Sequence, residues 1–171
     1  MSRRDGNPSP LRIAFVCTGN ICRSPLAEAL ARHHLDRAGI GARFVVESFG
    51  THDYHVGDGA DPRTVATAAR RGIDLSTHRA RQVSAAQVGA ADLVFAMDSG
   101  HLAFLKRMIA ITDQGRLHLF LPWTGAPARV PDVPDPYYGS QEGFDAVHDL
   151  LDGAAARMAA KCAAFTGGGH G

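Results

Sequence analysis

The sequence predicts an α/β fold in which a parallel β-sheet is covered by helices on both faces. Three observations lead there. Apolar runs of strand length alternate with amphipathic segments along the chain. The runs are almost continuously apolar, as strands buried on both faces must be. A chain of 171 residues, 45% hydrophobic and 20% charged, suits one globular domain with a substantial core.

The elements follow in order. Residues 1–10 are expected to form a flexible arm and 166–171 (TGGGHG) a flexible tail, leaving 11–165 as the folded domain. LRIAFVC (Leu11–Cys17) predicts the first strand, with Arg12 its one polar interruption. Ser24–Ala38 predicts a helix, with Ser24 as N-cap, Pro25 in the first turn and Leu26, Leu30 and Leu35 on its apolar face. FVVESF (Phe44–Phe49) predicts a second strand, and Pro62–Arg71 a helix stopped by Gly72. Ala91–Met97 predicts a third strand, Ser99–Met108 a helix and Arg116–Leu121 a fourth strand. A last helix is expected over Ser140–Ala164, carrying Phe144, Val147, Leu151 and Met158 at helical spacing. Pro122–Gly139 holds five of the nine prolines and reads as a structureless loop, of a length that is commonly functional.

Composition removes several function classes. A formal net charge of +1 leaves no electrostatic footprint for nucleic acid, and no Lys/Arg run suggests a membrane surface. No apolar stretch is long enough to span a bilayer, and MSRRDGNPSP lacks the hydrophobic run of a secretory signal. Three cysteines are too few for a disulfide scaffold and favour a reducing, cytoplasmic setting. A monomer is expected.

In open parallel sheets, ligands bind beyond the carboxyl ends of the strands. The loop after the first strand is CTGNICRS, Cys17–Ser24. If it wraps the start of the following helix, its N–H groups form an anion-binding nest reinforced by the helix N-terminus. Gly19 and Asn20 are the residue types that tolerate the positive φ of a tight ring. Arg23 can grip two phosphate oxygens in a bidentate fork. The same positive field stabilises a thiolate at Cys17, placing a nucleophile beneath the phosphorus of a bound phosphate ester. An isolated cysteine at a strand end is more often a small buried hydrophobe. Here the spacing to Arg23, the Gly-Asn pair and the strand–loop–helix setting reverse that expectation.

These residues carry a resemblance. C-x5-R-S directly after the first strand resembles the low-molecular-weight protein tyrosine phosphatases. ESFGTHDYHVG (Glu47–Gly57), HRARQV (His78–Val83), AMDSGH (Ala96–His101) and DPYYG (Asp135–Gly139) match the family in order and spacing, so the likeness covers most of the chain. It implies a three-layer open sandwich with strand order 2-1-3-4 and hydrolysis of protein phosphotyrosine through a cysteinyl-phosphate. Carried over by position, it implies Cys17 as nucleophile, Arg23 as phosphoryl clamp and Asp135 as general acid and then base. Thr18, Gly19, Asn20, Ile21, Cys22 and Ser24 would surround the phosphoryl group, while Asn20, Ser24, Ser48 and His78 hold the loop. Tyr54 falls where the family places a rim aromatic. With Tyr137 opposite and Tyr138 beside it, Tyr54 would form a slot for a phenyl ring too deep for phosphoserine.

Elementary chemistry supports these roles. A phenolate leaves slowly unless its oxygen is protonated, so a carboxylic acid must reach it. Asp135 precedes Pro136 on the long loop, and Tyr137 and Tyr138 are expected to desolvate it partly. On its own, Asp-Pro is ordinary turn chemistry. Cys22 has two open readings: a reversible disulfide partner that shields Cys17 from overoxidation, as the resemblance allows, or a packed loop cysteine. Cys162 reads as filler on the last helix. Among nine histidines only His33-His34 and the tail His170 hint at metal spacing, and weakly. His52 and His55 read as loop residues, and neither metal nor cofactor is expected.

Three alternatives were distinguishable. A thioredoxin-coupled arsenate reductase needs further cysteines mid-chain, and none lies between Cys22 and Cys162. A non-catalytic phosphotyrosine-binding module could dispense with Cys17 or Asp135, yet both are present. A flavodoxin-like FMN binder would need neither Cys17 nor Arg23. The expected partners are phosphotyrosine proteins, a cognate tyrosine kinase among them.

Overall fold

The computed structural model describes residues 8–167. Four parallel strands, β1 (Leu11–Cys17), β2 (Phe44–Gly50), β3 (Leu93–Ala96) and β4 (Leu117–Leu119), form one sheet in the order β2-β1-β3-β4. The register pairs Cys17 with Gly50 on one side of β1 and Val16 with Ala96 on the other. The helices are α1 (Arg23–Arg37), α2 (Pro62–Arg70), α3 (Ala85–Ala90), α4 (Ser99–Met108), α5 (Phe120–Thr124) and α6 (Gln141–Gly167).

The period-two pleat of β1 sorts the core into two layers. Ile13, Phe15 and Cys17 join Leu26 and Leu30 of α1, Ala68 of α2, Phe120 of α5 and Leu151 and Met158 of α6 on one face. Ala14 and Val16 join Phe49, Val88 of α3, Val94 and Leu105 of α4 on the other. Phe15, Phe95 and Phe120 pack as an aromatic cluster, the Phe15–Phe120 rings meeting edge to face at 5.0 Å. This is the three-layer sandwich expected, with the sheet between two helical layers.

Several elements depart from the sequence reading. β4 ends at Leu119, because the chain turns at Phe120 into α5 and sends Phe120 and Leu121 into the α1–α6 core layer. The loop expected over Pro122–Gly139 therefore begins inside a helix, which stops at Gly125 with φ +71°. Helix α3 was not anticipated, although Ser84 and Gln87 form a capping box at its start. Ser24 is not an N-cap: α1 starts one residue earlier, and the Ser24 hydroxyl is spent inside the preceding loop. α6 runs past the expected end at Ala164 and through Thr166 and Gly167, two residues expected in the tail. The rest of that tail, His170 included, and residues 1–7 of the expected arm lie outside the described residues.

Candidate active site

β1 delivers Cys17 to the carboxyl end of the sheet, and the chain then winds through Thr18–Cys22 into α1. Of the two residues expected to take positive φ, only Asn20 does, at 57°. Its buried side chain explains why Asn and not Gly suits the position. Nδ2 donates to Ser24 Oγ (2.8 Å) and Ser48 Oγ (3.0 Å), and Oδ1 accepts from Arg81 N (2.9 Å). The Asn20 carbonyl lies 2.7 Å from His78 Nε2. The four residues expected to support the loop thus meet in one network. Gly19 serves a different purpose from the one expected: a Cβ there would come within 2.9 Å of His55 Cδ2. Its missing side chain makes room for that ring.

Cys17 is buried, with Sγ 2.9 Å from Ser24 Oγ. Because Asn20 donates to that oxygen, the Ser24 proton is directed at Cys17 Sγ or the more distant Phe49 carbonyl (3.3 Å). The backbone beneath is clamped to the segment just after β2 by Thr51 N to Cys17 O (2.8 Å) and His52 N to Thr18 O (3.1 Å).

Arg23 is almost wholly buried on the first turn of α1. Its Nη1 donates to Asp98 Oδ2 (2.9 Å) and Val133 O (3.0 Å), and Nη2 lies 3.5 Å from Asp135 Oδ2. Asp98 caps α4 and shares a capping box with His101, whose Nε2 sits 2.8 Å from Thr18 Oγ1. The Asp98 N–H points at His101 Nδ1 (3.2 Å), so the ring carries its proton on Nε2 and donates it to Thr18. Burial pushes His101 down to about 4, which keeps it neutral in this role. Asp98 and His101 went unassigned in the sequence, although D-x-x-H before a helix was the signal for their reciprocal cap.

A cleft of about 260 Å³ opens over the loop, lined by Cys17, Thr18, Gly19, Ile21, Cys22, Arg23, Tyr54, Asp135, Tyr137 and Tyr138. Tyr54 stands on its rim and stacks on His52 at 4.9 Å. His55, a loop residue, also lines the cleft, 6.4 Å from the Tyr137 ring. Asp135 stays half-exposed beside the tyrosines. Its side chain is 44% exposed, Tyr138 is 91% exposed, and the carboxylate is engaged by Arg23 and by the Tyr137 N–H (3.1 Å to Oδ1). Burial pushes the Cys22 thiol up to about 12, and Cys22 packs with Ile21, Ala80 and Phe144. His34 bonds Asp152 at 2.7 Å and belongs to the α1–α6 contact, away from the cleft.

A family model described as low molecular weight phosphotyrosine protein phosphatase matches residues 12–164. A low molecular weight protein-tyrosine-phosphatase of Streptomyces coelicolor is 42% identical over 151 residues, covering 87% of this chain and 92% of that protein. The low molecular weight protein-tyrosine phosphatase A of Mycobacterium tuberculosis is 40% identical over 146 residues, covering 85% and 87%. The crystal structure of an Entamoeba histolytica protein tyrosine phosphatase with Hepes in its active site has a TM-score of 0.86 at 29% identity, covering 91% of this chain and 99% of that one. Vibrio vulnificus Wzb in complex with benzylphosphonate has a TM-score of 0.76 at 31% identity, covering 88% and 98%.

Proposed function

The chain belongs to the low molecular weight phosphotyrosine protein phosphatase family, and from that premise we propose a two-step hydrolysis at Cys17. The observation that carries the proposal is that Cys17, Arg23 and Asp135 line one cleft between two rim tyrosines. The Cys17 thiolate attacks phosphorus, the S–P bond forms and the bond to the phenolic oxygen breaks. Asp135 gives that oxygen its proton, so tyrosine leaves neutral. The Asp135 carboxylate then takes a proton from water as the water attacks phosphorus. The S–P bond breaks, releasing phosphate and the thiolate.

Each neighbour serves one of these steps. Ser24 Oγ, 2.9 Å from Cys17, can donate to the thiolate and to the thiolate leaving group of the second step. Asp98 and Val133 hold Nη1 of Arg23, leaving Nη2 and Nε as the fork for phosphoryl oxygens. A phosphoryl group there takes Nη2 from Asp135 and frees the carboxyl for the leaving oxygen. Tyr54 and Tyr137 bracket a phenyl ring, at about 0.5–1.5 kcal/mol per aromatic contact beyond burial. The benzylphosphonate held by Vibrio vulnificus Wzb, an aromatic phosphonate, is a ligand of the same chemistry. Cys22, protonated and packed, serves the loop's interior in this reading. The three free thiols support a reducing cytoplasmic setting, in which the enzyme acts as a monomer on phosphotyrosine proteins, a cognate kinase among them.

The Asp135→Asn variant tests the mechanism. With aryl phosphates of graded leaving-group pKa, wild type should show a shallow dependence of kcat/KM, which reports only the first step, and the variant a steep one. The loss on a poor leaving group should be roughly 10²–10⁴-fold. Parallel slopes would remove Asp135 as the acid. Asp132, whose Oδ1 accepts from Ser99 N and Oγ at the start of α4, would then be the next carboxylate to change.

A further inference from the structure

Asp135 is bracketed by two anchors. On its N-terminal side, Val133 N donates to Met97 O (2.8 Å), and Val133 O accepts from Arg23. On its C-terminal side the anchor is Arg63, in the first turn of α2. Its Nη2 donates to Tyr137 O (3.0 Å), while Nε and Nη2 grip the Asp61 carboxylate at 3.1 and 2.9 Å. The guanidinium also lies over the Phe144 ring at 4.5 Å and the Tyr137 ring at 5.5 Å. A fork on one carboxylate and two aromatic faces fix the plane of the group, so the direction of the bond to Tyr137 is fixed too.

The other end of this arrangement is the phosphate loop. Asp61 is buried and its N–H donates to Ile21 O (2.8 Å). Tyr137 N in turn donates to Asp135 Oδ1, and Asp135 Oδ2 faces Arg23. The contacts therefore close a ring that runs Ile21, Asp61, Arg63, Tyr137, Asp135, Arg23 and back into the loop. Arg63 is the member that spans from α2 to the loop bearing Asp135.

We propose that Arg63 is a positioning residue. By tying the Tyr137 carbonyl to the buried Asp61 carboxylate at the start of α2, whose backbone N–H is bonded to the phosphate loop at Ile21, it sets the distance between Asp135 and the phosphoryl site and orients the Tyr137 wall. The proposal rests on Asp135 being the general acid. Without Arg63 the segment after Asp135 is free to move, and a shift on the order of 1 Å can cost a factor of 10² in rate. The penalty falls on both steps that need Asp135, and in the first of them on poor leaving groups above all.

The test is the same aryl phosphate series applied to wild type, Arg63→Ala, Arg63→Lys, Asp135→Asn and the Arg63→Ala/Asp135→Asn double variant. Arg63→Ala should lose roughly 10- to 100-fold in kcat/KM, which reports only the step that expels the leaving group, on the poorest leaving group and about threefold or less on the most acidic one. The double variant should be about as slow as Asp135→Asn alone, because Arg63 acts through Asp135. Removing the Arg63 side chain leaves the buried Asp61 carboxylate with its helix-cap bond but no guanidinium, so Arg63→Lys, which keeps the charge and lacks the planar fork, carries the test if Arg63→Ala does not fold. Its slope should lie between wild type and Asp135→Asn. Losses equal across the series, or losses that multiply with Asp135→Asn, would reduce Arg63 to a structural residue and overturn the proposal. If Asp135→Asn steepens the slope and the Arg63 variants do not, the positioning role alone fails. If Asp135→Asn leaves the slope unchanged, the acid assignment fails and takes the positioning role with it.

Discussion

His101 is a histidine that the fold keeps neutral, and that choice has a pH dependence. Burial is the main cause of its depressed pKa. Asp98, Asp135 and Asp132 oppose the depression, and Arg23 reinforces it. Below the ordinary value of 6.5 the unfolded chain binds a proton that the folded chain refuses until about 4. Stability therefore falls as pH drops through that window, by up to about 1.4 kcal/mol per pH unit for one proton. Burial likewise depresses His148, and burial with Arg81 and Arg79 nearby depresses His78, so both add in the same direction. The His101→Gln variant should be less stable than wild type at pH 7, having lost the Thr18 and Asp98 contacts. Its denaturation midpoint should change less than that of wild type between pH 6.5 and 4. Identical pH profiles would mean that His101 titrates alike in both states.

At the scale of elements, the end of β2 and the phosphate loop lie in direct backbone contact. A Cβ on Gly50 would come within 2.7 Å of Thr18 O and 3.1 Å of both Gly19 C and His52 O. None of these is a flexible side-chain tip, so Gly50→Ala must displace the strand end or the loop. About 1–3 kcal/mol of stability should be lost, as for other overpacked sites. Turnover should fall more than tenfold, on the order of the 10²-fold that a 1 Å misplacement costs. A denaturant titration and kcat on one aryl phosphate check both. The same contrast between local and long-range signals governed what could be read from the sequence. Leu11–Cys17 and Ser99–Met108 matched their observed spans, because an apolar run and a capped amphipathic segment are local patterns. Arg116–Leu121 failed at its end because the apolar run continues through Phe120 while the backbone changes from strand to helix. The Cys17 loop could be read because its chemistry is contiguous. Arg63 could not, because its partner Tyr137 lies 74 residues away and only the tertiary fold brings them together.

Across the whole molecule, the strand order puts β1 and β3 side by side at the centre. The cleft forms where the chain leaves them, with β1 leading to Cys17 and β3 to Asp98. The long segment that brings Asp135 to that edge carries an exposed stretch, Pro127–Val130, before Val133 docks on Met97. Cys17 and Arg23 lie before this stretch. Asp135 and all of α6 lie after it, and the α6 face bearing Val147, Leu151, Ala154 and Met158 is buried in the core. The chain can therefore be divided between Arg129 and Val130 into two polypeptides that share one hydrophobic interface. Produced together, they should reassemble and hydrolyse an aryl phosphate, and each alone should be inert. Activity should fall on dilution of the pair but not of the intact chain, since association is now bimolecular. Failure to recover turnover on co-production would show that the connection itself is needed to seat α6. With the thiol on one piece and the acid on the other, catalysis becomes a reporter of whether two fragments have met.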